Sequence, residues 1–144
     1  FIHFVRDNAP QLFPAGICDE WFEQTITEVM PEIEQAQKDI LNFLFADPRY
    51  CGFTHQNMNT DNAIFWRDES GNVESGFIDW GRFKRDNLAR GLTTGYMCTD
   101  MCAFLQNRDE QLCRNFVDEY VGEGGPQISF GTFWEHYLLS WCIL

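Results

Sequence analysis

The sequence predicts a mainly helical α+β domain with one small β-hairpin near its middle. The chain has 144 residues, of which 44% are hydrophobic and 16% aromatic, and this composition is typical of a packed globule. Apolar residues recur at helical spacing before residue 47 and after residue 95, whereas residues 51–79 carry short apolar runs separated by turn residues. We therefore expect a single domain over residues 1–144, with helices on both sides of the hairpin.

The first helices follow from local signals. Residues 1–17 contain two prolines and a glycine that favour irregular structure, and Asp19 suits the N-cap of a helix that begins after it. Pro31 is expected to interrupt that helix and to occupy the first turn of a second one, "PEIEQAQKDILNFLF". The pair Asp47-Pro48 is expected to end the second helix.

The pattern in residues 51–79 predicts short strands. "CGFTH" is a short strand candidate, and "AIFW", the turn residues "RDESGN" and "VESGFIDW" together predict a hairpin over residues 63–79. Residues 82–95 are polar and are expected to form a loop. Helical spacing returns at Tyr96–Leu105, Asp109–Val121 and Ser129–Leu144, and "GEGGP" separates the last two.

Charge and cysteine content limit the partners. The formal net charge of −12 disfavours binding to nucleic acid or to an anionic membrane, although metal ions can still bridge an acidic protein to a polyphosphate. No apolar stretch is long enough to span a bilayer, so we expect a cytoplasmic protein. The spacing of the six cysteines does not resemble a secreted disulfide framework, so we expect reduced thiols. Cys98 and Cys102 could share one helical face, but a zinc site would need two further ligands, and none stands at a recognisable spacing.

A dense polar cluster precedes the hairpin, in "FTHQNMNTDNAIFW", and an acid follows it. Asn62 offers a side-chain carbonyl and Asp79 a carboxylate, both of which are ligands for a hard cation such as Mg²⁺. A hairpin brings its two ends together, so these side chains are expected to converge. The three asparagines of the cluster also suit an ordinary turn.

The motif spacing resembles that of phosphotransferases. His55, Gln56, Asn57, four residues and Asn62 match the frame H-R-D-x-x-x-x-N of protein kinases, and Ile78-Asp79-Trp80 stands at the position of D-F-G. The chain is more similar still to the aminoglycoside phosphotransferase and choline/ecdysteroid kinase-like group, whose pattern reads h-x-H-G-D-x-x-x-x-N-h-h-h, a turn, then h-I-D-W. This resemblance covers the motif block well and the flanking helices weakly.

The resemblance implies a fold, cofactors and roles. The chain would be the helical C-terminal lobe of a protein-kinase-like fold, with the hairpin at the edge of the active site. Asn62 and Asp79 would hold Mg²⁺ on the phosphates of ATP, and His55 would brace the catalytic loop. The reaction implied is phosphorylation of a small-molecule hydroxyl.

Two departures from the family pattern weaken the implied activity. Asn57 occupies the position of the catalytic base, and an amide cannot take the proton, a role worth about 10²–10⁴-fold in rate. Asp61, the nearest spare carboxylate, is out of register. The sequence therefore predicts either a slow phosphotransferase or a pseudokinase that acts as a nucleotide- or partner-binding regulatory module.

The second departure concerns the N-terminal lobe. No Gly-rich phosphate loop precedes the motif, and neither of the two lysines, Lys38 and Lys84, lies on a strand before it. The chain begins at Phe1 and ends inside an apolar helix, so we expect a piece of a longer protein whose N-lobe is not in this chain. A third interpretation, an acidic helical interaction domain, requires both motifs to be coincidental.

Overall fold

A computed structural model of the chain describes residues 3–8, 11, 19–95 and 108–143. Two compact units are distinguished, the first formed by Phe1–Ile40 with Ile143 and the second by Leu41–Cys142 with Leu144. Each unit is treated by itself below, and the single domain expected over residues 1–144 stays a prediction. The helix expected at Tyr96–Leu105, with its cysteine pair, lies outside the described residues.

Most described residues of the first unit are helical. A short π-helical turn covers Phe4–Asn8, in a region expected to be irregular. Helix α1 (Glu20–Gln24) begins at the expected N-cap, since the Asp19 carboxylate accepts a hydrogen bond of 2.8 Å from the backbone N–H of Phe22.

Pro31 does not interrupt the helical stretch, so the predicted break between the first two helices is wrong. A π-helical turn at Thr25–Val29 leads directly into helix α2 (Met30–Ala46), whose residues from Leu41 onward belong to the second unit. Within the turn, the N–H of Met30 reaches back five residues to the carbonyl of Thr25. A proline lacks the N–H that an α-helical turn needs and its ring crowds the preceding turn, so the wider π turn accommodates Pro31 without ending the helix.

The second unit combines helices with two small antiparallel sheets. Its strands are β1 (Cys51–Thr54), β2 (Ala63–Arg67), β3 (Val73–Phe77) and β4 (Lys84–Asn87). Its helices after α2 are α3 (Leu88–Gly95), α4 (Asp109–Gly122) and α5 (Phe130–Cys142), the last two close to their expected positions. Single 3₁₀ turns cover Pro48–Tyr50, Thr60–Asn62 and Trp80–Arg82. The described residues therefore form a mixed helical and antiparallel-sheet fold, in agreement with the predicted α+β class.

The predicted hairpin is confirmed over residues 63–77. Strands β2 and β3 pair antiparallel from Ala63 opposite Phe77 to Arg67 opposite Val73. Asp68 closes the turn, because its carboxylate accepts hydrogen bonds from the backbone N–H groups of Ser70 and Asn72. A hydrogen bond from the Asn72 side chain, together with these backbone bonds, holds the pKa of Asp68 below its ordinary value.

The prediction of a loop over residues 82–95 is wrong, because residues 84–95 of this range form β4 and α3. β4 pairs antiparallel with β1, and Asp86 on β4 is only 3% exposed. Its carboxylate lies 3.3 Å from Lys84 Nζ and 3.2 Å from Arg90 Nε, although the second contact lacks hydrogen-bond geometry. Three of the polar residues that suggested a loop are thus a buried carboxylate and its two cationic partners.

A single apolar core holds the helices of the second unit together. α3 and α4 both pack against α5, and β1 contacts α3. The core comprises these buried residues: Tyr50, Leu88, Ala89, Cys113, Val117, Phe133 and Tyr137. Within the described ranges, no helix is both long and apolar enough to cross a membrane.

One buried polar network also links three segments of this unit. Asn87 is fully buried, and its side-chain Nδ2 donates to the carbonyl of Leu44 at 2.7 Å and to His136 Nδ1 at 2.9 Å. Burial lowers the pKa of His136, and the carboxylates of Glu135 and Asp47 oppose this shift without reversing it. His136 is therefore a neutral ring whose Nδ1 accepts from Asn87.

Candidate functional site

The nested pairing of the four strands brings two loops side by side. Thr54, the last residue of β1, is paired with Lys84, the first of β4, while Ala63 at the start of β2 is paired with Phe77 at the end of β3. Residues 55–62 and residues 78–83 therefore both run between the same two strand pairs. We call them the first loop and the second loop.

Ile78 joins the two loops by its backbone. Its N–H donates to the carbonyl of Asn62 at 3.0 Å, and its carbonyl accepts a hydrogen bond of 2.7 Å from His55 Nε2. We call this pair of bonds the Ile78 clamp. Asp79 is the next residue along the chain, so the clamp brings Asn62 and Asp79 to neighbouring positions.

Asn62 is held in place by its own loop. Its side chain is 8% exposed, and Nδ2 donates to the backbone carbonyl of Asn57 at 2.9 Å. Its backbone N–H donates to the carbonyl of Asn59 at 3.0 Å. Among the described residues no hydrogen bond to Asn62 Oδ1 is found, so the oxygen of a side chain held through its Nδ2 remains free to bind a cation or a donor.

Asp79 has an unusual backbone. Its φ and ψ angles are 59° and 58°, in the left-handed region, and its exposed side chain makes no capping hydrogen bond to the 3₁₀ turn that follows. Gln56 in the first loop has a φ of 64°, and these two are the non-glycine residues with positive φ in the described ranges. Such a conformation costs about 1–2 kcal/mol per residue, and it persists where the surrounding structure enforces it.

His55 acts as a rigid brace in this geometry. It is 3% exposed, and its ring packs edge-on against Trp80 with centroids 4.6 Å apart. Because Nε2 lies at hydrogen-bond distance from a carbonyl oxygen, the proton is assigned to Nε2, and Nδ1 is then an acceptor. Nδ1 is buried and has no hydrogen-bond partner among the described residues.

Asn57 is half-buried, and its side chain is already engaged. Its Oδ1 accepts a hydrogen bond from Asn59 Nδ2, and its backbone carbonyl accepts from Asn62. The Oδ1 of Asn59 is buried without a partner among the described residues. The amide at the predicted base position is thus oriented by its neighbour, with its Nδ2 end left for other contacts.

The donor set at this site is small. No group of three or more His, Cys, Asp or Glu side chains that could hold a metal occurs in the described ranges. The pair formed by the Asn62 amide oxygen and the Asp79 carboxylate instead fits Mg²⁺ bound largely by phosphate oxygens and water, which needs only one or two protein ligands.

The structure therefore brings the predicted residues His55, Asn57, Asn62 and Asp79 together around two adjacent loops. Sequence reasoning missed Ile78, which acts through its backbone and leaves no signal in the side-chain pattern. It also missed Gln56, although the glycine that the family pattern has at this position was a signal for positive φ. Lys84 is ion-paired with Asp86 on β4 and is not directed by any described contact to the two loops.

The comparisons with known proteins add no relative: no protein-family model matches the chain, and neither the curated proteins nor the solved structures contain a match.

Proposed function

We propose that this chain carries the metal and nucleotide site of a phosphotransferase with a protein-kinase-like fold, which transfers phosphate from ATP to a small-molecule hydroxyl with weakened catalysis. The observation that carries the proposal is the Ile78 clamp, because it puts Asn62 and Asp79 at neighbouring positions at the ends of two loops. The motif resemblance gives the same pair the role of binding Mg²⁺ on the phosphates.

The free side-chain atoms support the metal assignment. Asn62 Oδ1 is fixed and lacks a described partner, and the Asp79 carboxylate is exposed and makes no capping bond. These two hard oxygens would hold the metal, which supplies charge neutralisation on the phosphates when it is bound. The strained backbone at Asp79 fits a residue that is oriented for a ligand, at a cost in stability.

The roles of the remaining residues follow from their contacts. His55 is buried and bonded to Ile78, so its role is to hold the two loops together and not to exchange a proton. Asn57 lies next to Asn62 through their shared hydrogen bond and would orient the acceptor hydroxyl without accepting its proton.

One observation favours the alternative, a pseudokinase that binds nucleotide or a partner for regulation. The Asn57 Oδ1, the atom that would accept a hydrogen bond from a substrate hydroxyl, already accepts one from Asn59 Nδ2 and keeps one lone pair for a second donor. The Nδ2 donors of Asn57 have no partner among the described contacts, and N–H donors suit a phosphate oxygen. Binding without efficient transfer is then the expected behaviour.

The test uses Mn²⁺ as a paramagnetic substitute for Mg²⁺, with ATP, and follows backbone amide signals by NMR. We expect substoichiometric Mn²⁺ with ATP to broaden the amide signals of Asn62 and Asp79 before those of the helices. Asp79→Asn should weaken this binding by at least about tenfold. Loss of a residue that only hydrogen-bonds to a metal ligand already costs about 10–100-fold in affinity, and Asp79 is proposed as a ligand itself. Asparagine tolerates the left-handed backbone, so the fold should keep its melting temperature.

Asp61→Asn is the matched control, because Asp61 is exposed, lies next to Asn62 and carries the same charge. It should change Mn²⁺–ATP binding by less than about threefold, the size expected of a screened surface charge. Equal losses in the two variants would mean that net charge alone attracts the metal. Broadening centred away from the two loops would refute the assignment of the site.

A further inference from the structure

One face of the β1–β4 strand pair carries two exposed aromatic rings and an exposed arginine. Phe53 lies directly opposite Arg85 in the antiparallel register, so their side chains share a face of the pair. Phe83 comes two residues before Arg85 and continues the strand with an extended backbone, so its side chain lies on the same face. We call the surface formed by Phe53, Phe83 and Arg85 the Phe53 platform.

The opposite face of the same strands is directed at the helices. Thr54 and Asp86 lie on it and are 9% and 3% exposed. A Cβ added at Gly52 would come within 2.9 Å of the Leu88 side chain, which shows how closely α3 packs against this face. By contrast Phe53 is 70% exposed, so the described part of the second unit leaves the platform open to solvent.

The rings of the platform are arranged against one another although they are not buried. Phe53 and Phe83 stack with centroids 5.1 Å apart and planes 22° apart, and Phe83 is 49% exposed. Trp80 packs edge-on against Phe83 at 5.3 Å, which supports the stack from the second loop. A planar ring laid on Phe53 would remove apolar surface from water and gain a further stacking contact.

Arg85 is a cation without an acidic partner. It makes no ion pair or hydrogen bond among the described residues, although the chain has 22 acidic and only 10 basic residues. Burial raises the pKa of the neighbouring Cys51 thiol and the charge of Arg85 opposes this shift without reversing it, so the thiol is neutral and does not compensate the guanidinium. The planar guanidinium therefore stays available for a carboxylate, which it can bind through two parallel hydrogen bonds.

We propose that the Phe53 platform binds a small planar aromatic carboxylate, of the kind represented by naphthoate. The ring of the ligand lies on Phe53, and its carboxylate accepts hydrogen bonds from the Arg85 guanidinium. The exposed Asp79 of the second loop and the net charge of −12 both repel anions, which favours a ligand with one negative charge over a polyphosphate. This site goes beyond the proposed phosphotransferase function and does not depend on it.

The test titrates the whole chain, without metal or nucleotide, with naphthoate and with naphthamide, which has the same rings and no charge. Naphthoate should bind about fivefold more tightly at low ionic strength, the upper value for an exposed ion pair. Added salt should reduce this difference, because the charges are exposed to solvent. In NMR spectra, naphthoate should shift the backbone amide signals of Phe53, Phe83 and Arg85.

Two pairs of substitutions separate the charge from the ring. Arg85→Gln should weaken naphthoate binding about fivefold and leave naphthamide binding unchanged. Arg67→Gln is its control, because Arg67 is another exposed arginine, bonded to the carbonyl of Gly71, and should affect neither ligand. Phe53→Ser should weaken the binding of both ligands, whereas Phe65→Ser, at a residue 66% exposed on β2, should not.

Asp79→Asn distinguishes this site from the proposed metal site. It should remove Mn²⁺–ATP binding but keep or slightly raise the affinity for naphthoate, because a negative charge near the platform is lost. Loss of naphthoate binding in this variant would overturn the independence of the two sites.

Four further results would overturn the proposal. The first is the absence of naphthoate binding at millimolar concentration, and the second is equal affinity for naphthoate and naphthamide. The third is an equal loss of naphthoate affinity in Arg85→Gln and Arg67→Gln, which would mean that net charge alone attracts the anion. The fourth is tighter binding of metal-free ATP than of naphthoate, which would make the platform a nucleotide surface.

Discussion

Asn87→Ala should be one of the most destabilising single substitutions in the second unit. Asn87 is fully buried and bonds to the Leu44 carbonyl, to His136 Nδ1 and, through its Oδ1, to the N–H of Ala89 at 3.0 Å. The Leu44 carbonyl has no helical donor of its own, because the residue four positions later is Pro48, which has no N–H. Removing the Asn87 side chain therefore leaves three polar groups without their present partners.

The size of the effect follows from these three bonds. A buried polar group that loses its partner costs about 1–3 kcal/mol, and the Ala89 bond is also a helix N-cap, worth about 1 kcal/mol. Taking the lower end of each range, the loss is about 3 kcal/mol. That is a large part of the stability of a domain, typically about 5–15 kcal/mol.

Urea unfolding followed by circular dichroism measures this loss, at pH 7.5 where His136 is neutral. Asn42→Ala is the control, since Asn42 is exposed on α2 and alanine is the better helix former by about 0.5 kcal/mol. It should leave stability unchanged or slightly raised. A loss of less than about 1 kcal/mol for Asn87→Ala, with an unchanged slope in urea, would refute the reasoning, because water would then replace the three bonds.

Three further predictions concern pH and catalysis. Burial keeps the pKa of His136 below its ordinary value of 6.5, so as pH falls the unfolded chain binds a proton at this histidine before the folded chain does. Stability should fall as pH decreases below about 6.5, and urea melts of His136→Gln should show a flatter pH dependence; identical profiles would count against this. Burial raises the pKa of Cys113 and of Tyr137 to about 12 each, so the unfolded chain ionises first and stability should fall as pH rises above about 9. Melts between pH 8 and 11 check this, and Cys113→Ala should remove part of the slope. Asn57→Asp should raise phosphotransfer by about 10²-fold in the complete protein, measured by ADP release with a reactive acceptor, whereas Asp61→Asn should not change it. No gain with an established acceptor would contradict the base-position assignment.

Local patterns predicted those elements whose signals lie within a few residues. The N-cap at Asp19 and the hairpin over residues 63–77 follow from a capping side chain, alternating apolar residues and a turn closed by Asp68. In each case the deciding contact joins residues close in the sequence, so the pattern alone is informative.

The same reasoning failed for β4 and α3, because their polar residues are satisfied by distant partners. From the sequence alone, Asn87 is typical of a loop. Its hydrogen bonds to Leu44 and His136, which are 43 and 49 residues away, are seen only in the structure. Asp86 likewise reads as exposed until its ion pairs with Lys84 and Arg90 are seen on a buried carboxylate. Composition cannot distinguish a solvated polar residue from a buried one whose partner comes from another segment.

By itself the sequence determined which side chains are candidates for the site: His55, Asn57, Asn62 and Asp79, named from their types and spacing. Only the tertiary structure decided how they meet. The pairing of β1 with β4 closes the segment that contains both loops, and the Ile78 clamp then locks His55 and brings Asn62 next to Asp79. These contacts join backbone groups, and the paired strands β1 and β4 lie about 30 residues apart in the sequence. Every non-proline residue carries the same backbone donor and acceptor, so no side-chain pattern records which of them will pair.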